Sequence, residues 1–339
     1  MSCGYLRSSK RVSSSPSTPA PENTRHASRG SVVTRGAYPE VRRKNLRART
    51  RILGEVRRFF EENGFLEVDT PHRIPFPIPE SHIDVTQSGP WVLHPSPEIC
   101  MKRMLAAGFD RIFQICRCWR DAERGSLHLP EFTMLEWYRT DADYTALMED
   151  CEELIRAAAA AVGLRDGISR QGGTIDLSGP WERLTVKDAF SRYGGMGMEE
   201  ALERDLFDEI MVCDIEPRLG IERPTILMDY PAARGSLARL KAGQPEVAER
   251  FELYIGGLEL ANAFSELVDP DEQRSRFMAE NDYRRRAAKP VYDLPEKFLG
   301  DLSDMPPSAG IALGLDRLVM LLVDADRIDD VVAFTPEEL

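Results

Sequence analysis

Along the chain the spacing of apolar positions changes several times, and each change marks an element. From Pro39, residues Leu46, Leu53, Val56, Phe59 and Phe60 recur at helical spacing until Asn63-Gly64 closes the run, as a helix C-terminus requires. FLEVDTP (65–71) predicts a short strand ending at Pro71, and RIFQICRCWR (111–120) and 131–139 predict two strands joined by the polar loop DAERGSLHLP. Leu147, Cys151, Leu154 and Ile155 mark one face of a helix over 144–162, with further helices near 185–193 and 205–218 and a strand at PTILMDY (224–230). FELYIGGLELANAF (251–264) reads as a hairpin turning at Gly256-Gly257, because a Gly-Gly pair accepts the positive backbone angles of a two-residue turn. GIALGLDRLVMLL (310–322) runs from a Gly-rich strand into a helix. Strands arrive in antiparallel runs rather than as strand–helix repeats, so the expected fold is α+β, an antiparallel sheet flanked by helices.

Within HLPEFTMLEWYR (128–139), strand alternation places Phe132, Met134, Glu136 and Tyr138 on one face and Glu131, Thr133, Leu135 and Trp137 on the other. A carboxylate among such apolar groups costs several kcal/mol unless a cation, a metal or a dense set of donors meets it. In the hairpin a two-residue loop pairs Tyr254 with Glu259 and Glu252 with Ala261, so Glu252 and Glu259 share a face diagonally. Two carboxylates that close repel, and a divalent cation such as Mg²⁺ would convert repulsion to attraction; a solvated acidic face is the plainer alternative. Asn262, Phe264 and Glu266 have the other parity and join Glu259 only if a bulge near Leu260 or Ala261 breaks the alternation. Gly310 and Gly314 would allow close backbone approach to a ligand, or merely tight strand packing, and Arg317 opens a helix with a guanidinium fork suited to phosphate.

Composition narrows the class. The 339 residues, 42% hydrophobic, suffice for one large or two ordinary domains. Net charge is −12, but residues 1–36 carry six Lys or Arg against Glu22, so an acidic body follows a basic tail and a broad nucleic-acid surface is disfavoured. Residues 1–38, rich in Ser, Pro and Arg, are expected to be disordered, with a transit peptide as the alternative; 39–339 would form the folded domain. RRKNLRARTR (42–51) reads as a solvated helix face rather than a partner site. No apolar run approaches the ~20 residues of a membrane span. The six cysteines form no CxxC pair, which suggests a reduced, cytoplasmic setting.

FLEVDTP, FQICRCWRDAERGSLHLPEFTMLEWYR, FELYIGGLELANAFSEL and GIALGLDRLVML together resemble motif 1, motif 2, the acidic segment and motif 3 of the class II aminoacyl-tRNA synthetases, within the lysyl group, from about residue 40 onward. The resemblance implies that fold's catalytic core, ATP and Mg²⁺. It implies Arg120 at the α-phosphate, Arg317 at the γ-phosphate, and Glu252 and Glu259 as metal ligands. The ATP site would comprise Arg120, Asp121, Glu123, His128, Phe132, Glu259, Leu260, Gly314 and Arg317. Glu136, Tyr138 and Glu266 would form the lysine side-chain pocket, beside Asn262, Phe264 and Ala312, and Ser96, Pro97 and Glu98 would face the substrate's backbone end. A substrate ammonium ~3 Å from Glu136 would be attracted by about 5 kcal/mol at an effective dielectric of ~20, before desolvation.

Departures from the family pattern sharpen the expectation. Only about 40 residues precede motif 1, fewer than the roughly 70 of an anticodon-binding OB-fold, which resembles the ligases that attach lysine or (R)-β-lysine to translation elongation factor P. That likeness implies elongation factor P as partner, without tRNA, and a homodimer using Phe59, Phe60 and Leu66. Ala312 replaces a usual motif 3 glycine, Asp121-Ala122 stands for the Asn-Glu of motif 2 and Leu129 for an Asn, the Glu and the latter Asn commonly contacting ATP, with Glu123 as a substitute for the Glu. A truncated lysyl-tRNA synthetase and a catalytically silent paralogue are the alternatives.

Overall fold

The computed structural model describes residues 39–339 except Asp166 and Gln171; the tail expected over 1–38 lies outside the described residues. Helix α1 (Glu40–Glu62) presses Ile52, Val56, Phe59 and Phe60 into the core. It ends where Asn63 N–H returns to the Phe59 carbonyl and Gly64 takes φ +75°. Phe60 stacks on Phe113 at 4.6 Å and meets Trp137 at 5.2 Å. This corrects the expected dimer surface: Phe59 and Phe60 are core residues, whereas Leu66 remains 51% exposed.

Nine strands form the main sheet: β1 (Leu66–Glu67), β2 (Arg111–Trp119), β3 (Glu131–Thr140), β4 (Glu182–Thr185), β5 (Thr225–Pro231), β6 (Leu240–Lys241), β7 (Gln244–Ile255), β8 (Leu258–Ser265) and β9 (Ser308–Gly314). Their order is β1-β2-β3-β9-β8-β7-β5-β4, with β6 on β7. The six strands from β2 to β5 pair antiparallel, and only the edge pairs β1–β2 and β4–β5 of this sheet are parallel. The strand expected over 65–71 is thus confined to two residues. One sheet face is closed by α1, α3 (Tyr144–Ala161) and α5 (Leu315–Leu322), over Leu135, Trp137, Ala263 and Ile311. The opposite face carries the polar residues and receives α2 (Glu98–Ala106) and α4 (Pro270–Arg286) near one end. The helix expected over 205–218 is instead broken into Phe207–Ile210, a π-helical turn Met211–Ile215 and a 3₁₀ turn Glu216–Arg218.

The β7–β8 hairpin turns at Gly256 and Gly257, with φ +63° and +69°. Tyr254 pairs with Glu259 and Leu253 with Ala261, so Leu260 is the extra residue of a bulge. The bulge was expected; Glu252 consequently pairs with Asn262, not Ala261. Beyond it, Glu252, Tyr254, Glu259, Asn262 and Phe264 share one face.

Candidate active site

Strand register assembles the site. Across the sheet, Gln114 lies opposite Glu136, Glu136 opposite Ala312, Ala312 opposite Asn262 and Asn262 opposite Glu252, a row of side chains on one face. Ala312 and Asn262, in the middle of this row, border an open cavity that is also lined by Arg120, Glu123, His128, Phe132, Glu259, Leu260, Gly314 and Arg317. Asp121 does not line it; its backbone N–H is spent on Asp84 O (2.7 Å). Leu129 contributes an apolar wall, and Ala122 sits at φ +59° in the turn after β2.

The cavity's cations are poised for anions. The Arg120 guanidinium stacks over Phe132 at 5.2 Å, and its Nε is buried with no hydrogen-bond partner. Arg317 is fixed by the Glu259 carbonyl (2.9 Å) and donates to His128 Nε2 (2.6 Å). Desolvation and the charges of Arg317 and Arg120 push His128 down to about 4, so it is neutral and accepts that bond. Asp316 anchors the motif by accepting from Thr133 N–H (2.7 Å) and pairing with Arg49. The basic run 42–51 therefore reaches inward at Arg49 rather than serving only as a solvated face.

Three carboxylates converge near the bulge. Tyr230 and Tyr254 hydroxyls donate to Glu252 Oε2 (2.7 and 2.6 Å), and Arg250 holds Oε1 (2.5 Å). Withdrawal from water, then the charge of Glu252, raises Glu259. Glu216 is pushed up to about 7 by burial, then by Glu252 and Glu259. Crowded carboxylates that resist ionisation beside an open cavity fit a divalent cation. Glu216 was not foreseen; it arrives through the irregular π/3₁₀ segment, which apolar periodicity cannot place. Glu80, also unforeseen, lines the cavity and is raised to about 7 by burial against the opposing pull of Arg120.

Next to Ala312 in the row, Glu136 belongs to a buried polar cluster. Ser96 Oγ donates to Glu136 Oε1 (2.6 Å) and Tyr138 to Oε2 (2.9 Å), while Glu98 N–H caps Ser96 Oγ (3.0 Å) just after Pro97, where α2 begins. Glu136 is 1% exposed, and burial followed by the charge of Glu98 raises it well above an ordinary carboxylate. Glu266 is pushed up to about 8 by burial, with Lys102 pulling down and Glu98 pushing up. Lys102, buried from α2, reaches Glu266 at 2.5 Å, bonds Glu98, and lies over the Phe264 ring at 5.4 Å. It too was missed, although Glu98 and Lys102 at i and i+4 on an apolar helix were a readable pair.

Gly310 corrects one expectation. A Cβ there would lie 2.2 Å from both Glu266 Oε1 and the Tyr138 ring, so its missing side chain makes room for the pocket's own walls rather than for a ligand backbone. Gly314 does line the cavity.

Among known proteins, a family described as tRNA synthetases class II (D, K and N) matches residues 34–338. A Haemophilus influenzae protein named elongation factor P--(R)-beta-lysine ligase is 37% identical over 313 residues, 87% of this chain and 96% of the relative. Proteins of the same name from Edwardsiella ictaluri and Photorhabdus laumondii are 38% and 39% identical, covering 94% and 96% of those relatives.

Proposed function

The chain belongs to the class II tRNA synthetases (D, K and N), and on that premise we propose that it is an ATP-dependent ligase that activates lysine or (R)-β-lysine and transfers it to a lysine side chain of translation elongation factor P. The carrying observation is the charge of the buried cluster around Glu136. Glu98, Glu136 and Glu266 are buried there, and the first and last share one cation, Lys102. Fully ionised, the three carboxylates would exceed Lys102 by two charges, which the two ammonium groups of a diamino acid would match on binding, with its carboxylate left free to react.

That carboxylate oxygen attacks the α-phosphorus of ATP as the bond to pyrophosphate breaks, leaving an aminoacyl adenylate. The acceptor amine then attacks the acyl carbon, an amide forms and AMP departs. From the cavity wall Arg120 would meet the α-phosphate and Arg317, held by the Glu259 carbonyl, the γ-phosphate, so positioning and charge neutralisation supply the acceleration. Glu252 and Glu259, with Glu216 beside them, would hold Mg²⁺, which neutralises phosphate charge when bound. The unbroken set of Arg120, Glu252, Glu259 and Arg317 favours this reading over a silent paralogue.

We further propose that the chain works in the cytoplasm as a homodimer, with edge strand β1 and exposed Leu66 at the interface. No helix among the described residues is long and apolar enough to cross a membrane. Lysine-dependent pyrophosphate exchange tests the reaction: Glu259→Gln, which keeps volume and removes a charged ligand, abolishes it. Wild-type exchange by folded mutant protein would overturn the assignment.

A further inference from the structure

The strand leading to Arg120 carries two thiols that the ligation chemistry does not use. Cys116 and Cys118, two residues apart on β2, share a face, and their Sγ atoms lie 3.9 Å apart. His94 reaches them from the segment after the short strand Trp91–Leu93. One imidazole nitrogen and the two sulfurs all lie within 4.8 Å of one another, and exposure is 1%, 6% and 0% for His94, Cys116 and Cys118.

We propose that His94, Cys116 and Cys118 form a binding site for one Zn²⁺. With Zn–S bonds of about 2.3 Å, a tetrahedral ion sets two thiolate sulfurs about 3.8 Å apart, the separation already present. The imidazole is prepared in the same sense. Its Nε2 lies 2.9 Å from the Arg117 carbonyl, which can only accept, so Nε2 carries the proton and Nδ1 keeps its lone pair. Backbone bonds from His94 N to His72 O (2.9 Å) and from Trp119 N to His94 O (3.1 Å) fix the residue. A Cys116–Cys118 disulfide fits less well: strand neighbours at i and i+2 have Cα atoms about 6.7 Å apart, the outer limit of disulfide geometry. Soft sulfur and nitrogen donors also separate this site from the oxygen-only Glu216, Glu252 and Glu259 set.

His94 stands two residues before Ser96 and Cys118 two before Arg120, and both thiols pack on Met134, which lines the cavity. One zinc ion would therefore brace the amino-acid and ATP halves of the site against each other.

The test uses the full chain, freed of metal, with Co²⁺ as spectroscopic probe. The expected result is one equivalent of Co²⁺ bound with thiolate-to-cobalt charge-transfer absorption and tetrahedral visible bands, displaced by Zn²⁺. Cys118→Ser and His94→Asn weaken binding at least ten-fold, while Cys100→Ser, a thiol elsewhere, leaves the spectrum unchanged. Absence of charge-transfer absorption in the wild type overturns the site, as does a spectrum that survives removal of both Cys116 and Cys118. Should the variants fail to fold, X-ray absorption of the zinc-loaded wild type decides: two sulfur scatterers near 2.3 Å support the site, and oxygen or nitrogen alone refute it.

Discussion

In the proposed reaction Ala312 and Glu266 would separate two kinds of selectivity. Glu266 belongs to the carboxylate set that would meet the substrate's ammonium groups, so Glu266→Gln is expected to weaken lysine and β-lysine alike. Ala312 lies between Glu136 and Asn262 in the register, and its methyl group is proposed to sense the position of the second amino group. Ala312→Gly should move the preference toward α-lysine by roughly 1–3 kcal/mol, about ten- to two-hundred-fold. The ratio of kcat/KM for the two isomers in each variant checks this, and an unchanged ratio for Ala312→Gly would leave Ala312 a packing residue. A second residue-level effect concerns Glu216. Its carboxyl is raised to about 7, so its native-state contribution is fully present below the ordinary carboxylate value and is lost as pH rises through 7. Metal binding needs the ionised form, and apparent Mg²⁺ affinity should therefore rise about ten-fold between pH 6 and 8. Calorimetric titration with Mg²⁺ and ATP in two buffers should show proton release near pH 6 that fades by pH 8; a flat profile would remove Glu216 from the metal site.

Among elements, the β7–β8 hairpin shows how far sequence reaches. The Gly256-Gly257 turn fixed one register, and the demand that Asn262 join Glu259 required a bulge, which the structure places at Leu260. Parity arguments succeed here because strand side chains alternate strictly and a single extra residue has a definite consequence. They fail where backbone is irregular or partners are distant in sequence: Glu216 rides on a π/3₁₀ segment, and Lys102 meets Glu266 from a helix far from β8. Gly310 was legible as a close approach but not as an approach by Tyr138 and Glu266. Gly310→Ala must displace both side chains, and a misplacement of ~1 Å costs about 100-fold in kcat/KM for the amino acid. The KM for ATP, whose proposed cations line the open cavity, should stay within a few-fold. Equal losses for both substrates would mean that the whole sheet had shifted.

For the molecule as a whole, the antiparallel order of the central strands and the four ordered motifs were readable, whereas the assembly surface was not. Aromatic residues at the end of α1 look like interface in sequence, because burial within a chain and burial between chains select the same side chains. With Phe59 and Phe60 in the core, Leu66 and the short edge strand β1 remain for a two-fold contact. Light scattering at micromolar concentration should give the mass of two chains, and Leu66→Glu should shift it toward one; a strictly monomeric wild type would exclude the dimer. The most direct measurement is the mass of elongation factor P after incubation with the protein, ATP, Mg²⁺ and each lysine isomer in turn, with lysine tRNA in parallel. One added lysyl or β-lysyl group on a lysine of the factor, dependent on ATP and accompanied by AMP, with the tRNA uncharged, is the expected result. Charged tRNA with unmodified factor would contradict it.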